Sequence, residues 1–360
     1  MTSSCSIDSK PPVCEGCDNT VTKFTLLSES DENLLQFLYN HRVLPKKKIC
    51  RECENEMWLD ENNFLFVCRN KCNSSVSQLK GTIFENSDLS LKIISRFVML
   101  WSQIHPPCPV LLQHELGMSA ATVDYWCNKL REVCLHFIMT NSEPIGGVGK
   151  IVEIDEAKID YKIFDGEQEI KGGWIFGGIE RQSRKTFLVP VRKKDYATLL
   201  PIVKQYIIPG TTVISDCKKN DHCIKFEGYK NLTVKKNFVD PDSGAHTQNI
   251  KRLWREVGSC IPKDTIEKNY PFHGYLAEFL FKRKFNNYKQ RLHNVWLAIA
   301  DFYDGSHSNI HSNEMECASQ TVIIKSFGDI EKKAVEKKRH RSGKHKKGRK
   351  RLRPIDNDQN

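Results

Sequence analysis

The sequence predicts an α/β layer domain standing behind a cysteine-bearing module and a helical segment. Three observations predict it. After residue 150, apolar β-branched runs end in carboxylates, first at 151–155 ("IVEID") and again at 211–216 ("TTVISD"). Strand-like patterns at 173–180 and Thr186–Val191 lie between them, and helical patterns at 196–207 and from Gln248 onward surround them, the alternation of a layered α/β domain. Before residue 150 the pattern is helical, with cysteine pairs near residues 50 and 70.

The chain has 360 residues, room for two or three domains with a core large enough to need no covalent staples. Its first residues, "MTSSCSIDSKPP", are polar and do not form a signal peptide, and no apolar stretch approaches the ~20 residues that span a bilayer. No membrane partner is expected. The fourteen cysteines then belong to a reducing compartment, as thiols or metal ligands. Net charge is +11, yet residues 332–353 hold thirteen Lys and Arg against Glu336 alone, so the rest of the chain is near neutral. That tail lacks apolar periodicity and reads as disordered. It suits nuclear import, a phosphate-binding arm using residues such as Lys346, Lys347 and Arg349, or simply a solvated face. The expected location is the nucleus.

In chain order, residues 1–29 read as loose and polar. A short amphipathic helix follows in "ENLLQFLYNHRVL", with Leu34, Leu35, Phe37 and Leu38 on its apolar side. Together with the cysteine module it occupies residues 30–85. Cys50 and Cys53 are spaced C-x2-C, and Cys68 and Cys72 are spaced C-x3-C, with fourteen residues between the pairs. Zn²⁺ takes four thiolates in a tetrahedron, and each short turn offers two of them, so a closed, structural zinc site is expected. Cys14 and Cys17 also form C-x2-C and compete for one side of it. The later set is preferred because "FLFVCRNKC" reads as a strand leading into the second turn. Cys14 and Cys17 are expected to be ordinary exposed thiols, and Cys127 and Cys134 core residues.

Residues 86–142 read as helical. Within them "VLLQHELGMSAATVDYWCNKLREVC" gives a helix, a break at Gly117, an N-cap at Ser119 and a second, longer helix. This is the outline of a helix-turn-helix, in which Thr122, Asp124 and Lys129 would face a DNA groove. The same pattern serves a plain antiparallel helix pair, and the segment is not basic. "NSEPIGGVG" is a linker into the α/β domain at 150–305, and residues 306–360 form the tail.

Two strands that bring Asp155 and Asp216 to neighbouring ends of one sheet make a divalent-metal site. Phosphoryl transfer on DNA uses two metals ~3.5–4 Å apart that clamp the attacking and leaving oxygens. Strand-end aspartates also commonly do no more than cap a following turn.

The wider order of motifs resembles Merlin-type DNA transposases and their bacterial insertion-sequence relatives. It runs "CRNKC…SVSQLKGTIFENSDLSL", "IVEIDE", "GGWIFGGIER", "KTFLVPV", "TLLPIVKQYIIPGTTVISDC", "NFVDPDSGAHTQNI…LW" and "GYLAEFLFKRKF", spanning roughly residues 30 to 290. The resemblance implies a zinc ribbon, a helix-turn-helix and an RNase H-like mixed sheet with flanking helices, a DDE-type catalytic domain. It implies Mg²⁺ or Mn²⁺ as catalytic cofactor, Zn²⁺ as structural ion, double-stranded DNA with terminal inverted repeats as partner, and a homo-oligomer. Asp155 and Asp216 become the first two catalytic acids. The third falls in a motif of the form H-T-x-N-x-E-x-x-W, where this chain has Lys251. An ammonium cannot ligate Mg²⁺. Asn249 matches its family position and offers a carbonyl oxygen as a weaker ligand, while His246 can orient a phosphate, move a proton, or simply bond to nearby backbone. Glu256 sits five residues on, about 140° around a helix from position 251, and reads as a surface charge. Glu278 in "YLAEFLF" reads as a structural ion-pair partner. The sequence therefore carries two functional expectations: an active transposase, or a transposase-derived DNA-binding protein disabled at position 251.

Overall fold

The computed structural model describes residues 14–70, 72–165, 168–191, 193–217, 226–235, 239–240, 244–261 and 272–303. The basic run, with Lys346, Lys347 and Arg349, lies outside them.

Local capping chemistry starts most of the N-terminal helices. Helix α1 (Val21–Leu27) begins where the Thr20 hydroxyl accepts from the Lys23 N–H, and its Phe24 is fully buried. Part of the segment expected to be loose is thus a helix anchored by one aromatic ring, which the polar residues around Phe24 concealed. Ser30 caps α2 (Asp31–Asn40), and Asp31 and Glu32 sit in its first turn, at the positive end of the helix dipole. Leu34, Phe37 and Leu38 are buried there as the apolar stripe predicts. Three short strands follow, β1 (Trp58–Asp60), β2 (Leu65–Val67) and β3 (Ser75–Ser77), in one antiparallel sheet of that order.

Ser90 caps α3 (Leu91–Gln103). Helix α4 (Pro109–Leu116) starts on a proline and stops at Gly117, whose φ of 63° is the left-handed cap that glycine adopts without Cβ strain. The Ser119 hydroxyl then accepts from the Thr122 N–H to start α5 (Ala120–Thr140). The break and the cap thus fall where the sequence puts them.

The α/β portion comprises β4 (Ile145–Gly146), β5 (Ile151–Asp165), β6 (Gln168–Glu180), β7 (Thr186–Val191), α6 (Tyr196–Tyr206), β8 (Ile207–Ile208), β9 (Thr212–Cys217), β10 (Lys230–Lys235) and α7 (Gln248–Cys260). Helices α8 (Phe272–Lys284) and α9 (Tyr288–Tyr303) complete the described chain. The main sheet has the order β10-β9-β5-β6-β7. Strands β5, β6 and β7 form an antiparallel meander, and β9 and β10 extend it in parallel from β5.

Strand alternation sends successive side chains to opposite faces. Val152, Ile154, Phe176, Val189 and Val213 face α6 through Leu199, Ile202 and Val203. On the other face Ile175, Ile179 and Leu188 meet α7 through Ile250, Leu253 and Val257, and α8 through Leu276 and Phe279. The mixed sheet is therefore covered by helices on both sides.

The helical portion has its own core, to which Phe24, Phe37, Phe97, Trp101, Trp126 and Leu130 contribute. Helices α8 and α9 return to that core with Ala277, Phe281, Leu292, Val295 and Trp296. An ion triad lies inside it. Glu278 accepts from Arg131 Nε at 2.9 Å and from Lys282 Nζ at 2.8 Å, and Lys282 also donates to the carbonyls of Trp101 and Ile104. Burial alone would push the Glu278 carboxyl up, but the two cations outweigh it and hold the group below its ordinary range. The structural reading of Glu278 accords with these contacts.

No helix among the described residues is long and apolar enough to cross a membrane.

Candidate functional site

The site forms where β5, β9 and α7 meet. Strands β5 and β9 run parallel with Ile154 opposite Ser215, so one further step sets Asp155 level with Asp216. Both lie near the end of the β5–β9 pairing, on adjacent strands about 4.8 Å apart. Their side chains contact α7, the helix that covers this face of the sheet.

Asp155 is largely buried. Its Oδ1 accepts from the Glu156 N–H at 2.9 Å, and its Oδ2 accepts from Trp254 Nε1 at 3.2 Å. Burial raises its pKa, and the neighbouring Asp216 adds to that, while the two hydrogen bonds and Lys251 work the other way. The Trp254 ring reaches Asp155 because Gly177 on β6 leaves room for it. A Cβ at Gly177 would stand 2.8 Å from the edge of that ring.

Lys251 on α7 reaches the second aspartate. Its Nζ lies 2.9 Å from Asp216 Oδ2, and the Lys251 side chain is 27% exposed against 11% for Asp216. Asp216 Oδ1 is buried without a hydrogen-bond partner among the described residues. The ammonium thus stands against one of the two carboxylates that would hold a divalent ion. A Mg²⁺ or Mn²⁺ pair requires a set of hard anionic oxygens. Here the set is two carboxylates, one of them neutralised by an ammonium that would repel a second cation. These residues do not fit a two-metal centre.

Asn249 and His246 are committed elsewhere. The Asn249 side-chain carbonyl, expected as a substitute ligand, accepts from Arg184 Nη1, and its amide nitrogen donates to Glu153 Oε1 at 2.7 Å. His246 Nδ1 accepts from the Gln248 N–H and lies 3.4 Å from Glu153 Oε1, while the His246 carbonyl accepts from Arg181. Burial and Arg181 lower the His246 pKa against the pull of Glu153. Glu256 pairs with Arg283 on α8 and is 40% exposed, in keeping with a surface charge.

Glu153 organises these contacts, and sequence reasoning missed it. It is fully buried, and its Oε2 accepts the N–H groups of Asn249 and Ile250 at 2.9 and 3.1 Å. The N-cap residue Thr247 makes no side-chain cap bond to α7, and the strand carboxylate caps these two N–H groups from outside and meets the positive end of the helix dipole. Arg181 completes the shell at 2.8 Å. The available signal was parity: Glu153 precedes Asp155 by two residues on a strand, and so shares its face.

The cysteine module gathers Cys50, Cys53, Cys68 and Cys72 around one point, their sulfurs all within 4.8 Å of one another. Sulfur separations are 3.6 Å for Cys50 and Cys72, 3.5 Å for Cys53 and Cys68, 3.6 Å for Cys53 and Cys72, and 3.0 Å for Cys68 and Cys72. Tetrahedral zinc with bonds of 2.3 Å sets sulfurs about 3.8 Å apart. These four residues fit zinc, with β2 leading into Cys68 as the sequence suggests.

The proposed groove residues of α5 are less available. Lys129 Nζ donates to the Ile83 carbonyl at 2.8 Å and lies 4.9 Å from the Trp126 ring centroid, so its charge is turned inward. The Thr122 hydroxyl bonds to Ser119 at 2.7 Å within the helix cap. Lys129 is therefore turned toward the Ile83 carbonyl and the Trp126 ring.

Cys14 and Cys17 are half-buried, not exposed thiols. The Cys17 sulfur lies 3.4 Å from His41 Nε2 and 3.7 Å from His293 Nδ1. A spacing argument finds the C-x2-C pair but not its partners, which come from α2's C-cap and from α9.

No family model matches the chain, and no curated protein matches its sequence. Among solved structures, the Drosophila P element transposase strand transfer complex is similar at 12% sequence identity and a TM-score of 0.27, over 69% of this chain and 74% of that one, a distant likeness.

Proposed function

We propose that this chain is a transposase-like DNA-binding protein whose RNase H-like catalytic centre is disabled. The contact between Lys251 and Asp216 at 2.9 Å carries the reading, because it puts a fixed cation where a third acid and a metal would stand. The sheet supports the RNase H-like assignment. An antiparallel meander is extended by two parallel strands, and the paired aspartates sit on adjacent members. The motif order "IVEIDE", "VISDC" and "GAHTQNIKRLW" supports the Merlin-type assignment. The basic run at 332–353 supplies the DNA-facing element of the proposal, with a nuclear location and terminal-repeat DNA as partner.

The test is a Mg²⁺- or Mn²⁺-dependent cleavage assay on DNA carrying candidate flanking repeats, with wild type, Asp155→Asn and Lys251→Glu in parallel. The expected result is DNA binding without cutting by wild type, and cutting gained in Lys251→Glu. Wild-type cutting that vanishes in Asp155→Asn would instead mean a live enzyme with a different third ligand.

A further inference from the structure

We propose that Cys14, Cys17, His41 and His293 form a second structural zinc site, one that fastens the N-terminal segment to the last described helix. Their ligand atoms all lie within 4.8 Å of one another. His41 and His293 are buried, at 1% and 7% exposure, and both cysteines are half-buried.

The hydrogen bonds fix how the imidazoles present themselves. His41 Nδ1 donates to the Phe37 carbonyl at 2.8 Å, so in the neutral ring Nε2 carries the lone pair. That lone pair faces His293 Nδ1 at 3.1 Å and the Cys17 sulfur at 3.4 Å. A carbonyl gripping the far nitrogen of a ligand histidine is the usual outer support of a zinc site. Tetrahedral zinc with nitrogen and sulfur ligands requires about 3.3 Å between nitrogens and about 3.6 Å between nitrogen and sulfur. The 3.1, 3.4 and 3.7 Å separations straddle those values. Two thiolates and two neutral imidazoles form a donor set that selects zinc over Mg²⁺ or Ca²⁺.

The backbone around the cluster is already in position. Cys14 N–H donates to the Asn40 carbonyl at the end of α2, and Asn19 N–H donates to the Lys289 carbonyl on α9. The cysteines precede α1, His41 caps α2, and His293 lies on α9, so one ion would join three segments widely separated in sequence. With all four positions filled by protein, the site is structural.

Zinc content and X-ray absorption of the purified full chain, prepared without chelator, test the proposal. The two clusters predict two zinc ions per chain, with an average shell of three sulfurs and one nitrogen. One zinc per chain in an all-sulfur shell would overturn it, and needs no variant. As a second measure, His293→Asn should fall from two zinc to one and shift the remaining shell to sulfur alone, while Cys68→Ser should keep the mixed sulfur–nitrogen shell. Unchanged zinc content in a folded His293→Asn protein would equally refute the assignment.

Discussion

Replacing Lys251 by glutamate inverts the charge at the centre of the candidate site, and its effect can be worked from the geometry. The Lys251 ammonium and the Asp216 carboxylate are 2.9 Å apart. At an effective dielectric of about 20, unit charges about 4 Å apart interact by about 4 kcal/mol. Lys251 is 27% exposed, so solvent takes part of that. About 1–2 kcal/mol of attraction is lost, and a similar repulsion from Asp155 and Asp216 is gained. Without divalent ions Lys251→Glu should therefore be about 2–4 kcal/mol less stable, a fall in Tm of about 5–15 °C at the scale of ~2–4 °C per kcal/mol for large domains. Three carboxylates are then a competent ligand set. An ion present at 100 times its Kd returns about 2.7 kcal/mol. Thermal melts of wild type and variant, with and without Mn²⁺, read both effects. The variant's Tm should recover as Mn²⁺ rises and wild type should not move. Equal shifts in the two proteins, or no shift in a folded variant, would refute the view that Lys251 fills the ion's place.

Three further outcomes are expected. Gly177→Ala should push the Trp254 ring off Asp155, costing about 1–3 kcal/mol in overpacking and changing Trp fluorescence; an unchanged emission spectrum and Cm would count against this contact. Glu278→Gln leaves Arg131 and Lys282 buried without their anion, and should cost about 3–5 kcal/mol in chemical denaturation; a loss below 1 kcal/mol would show that the triad is more hydrated than its burial implies. Burial on α8 pushes the His273 imidazole down to about 4 from an ordinary 6.5. The folded state then favours neutral His273 while the unfolded chain takes up a proton, so this contribution is complete above pH 6.5 and is lost as pH falls toward 4. Stability measured across that window should be flatter in His273→Asn than in wild type.

Much of the fold was legible because the signals were local. The Gly117 break, the Ser119 cap and the strand at Thr186–Val191 each depend on residues within a few positions. The Cys50, Cys53, Cys68 and Cys72 cluster was readable for the same reason, since its two turns are short. The phenylalanine that orders α1 was not, because Phe24 finds its partners Phe37 and the helical core from a distance. Within the site, the level pairing of Asp155 and Asp216 followed from strand pattern, and Lys251 from motif alignment. The competition for Asn249 was not readable. Its amide and carbonyl go to Glu153 and Arg184, residues 96 and 65 positions away, which no periodicity connects. The inward turn of Lys129 was hidden likewise, its acceptor being a carbonyl in another segment.

The return of α8 and α9 to the helical core has a consequence for how the chain is made. Trp296 and Leu292 share a cluster with Phe37 and Phe84, and Phe37 meets Trp296 edge-on at 6.2 Å between ring centroids. A ribosome extends a chain at about 5–20 residues per second, so the N-terminal helices wait on the order of 10–50 s for α9 to emerge. During that interval Phe37, Phe84 and their neighbours lack the tryptophan that covers them, while the sheet between can already assemble. The helical core at the start of the chain is thus completed only by residues made near the end of the described chain.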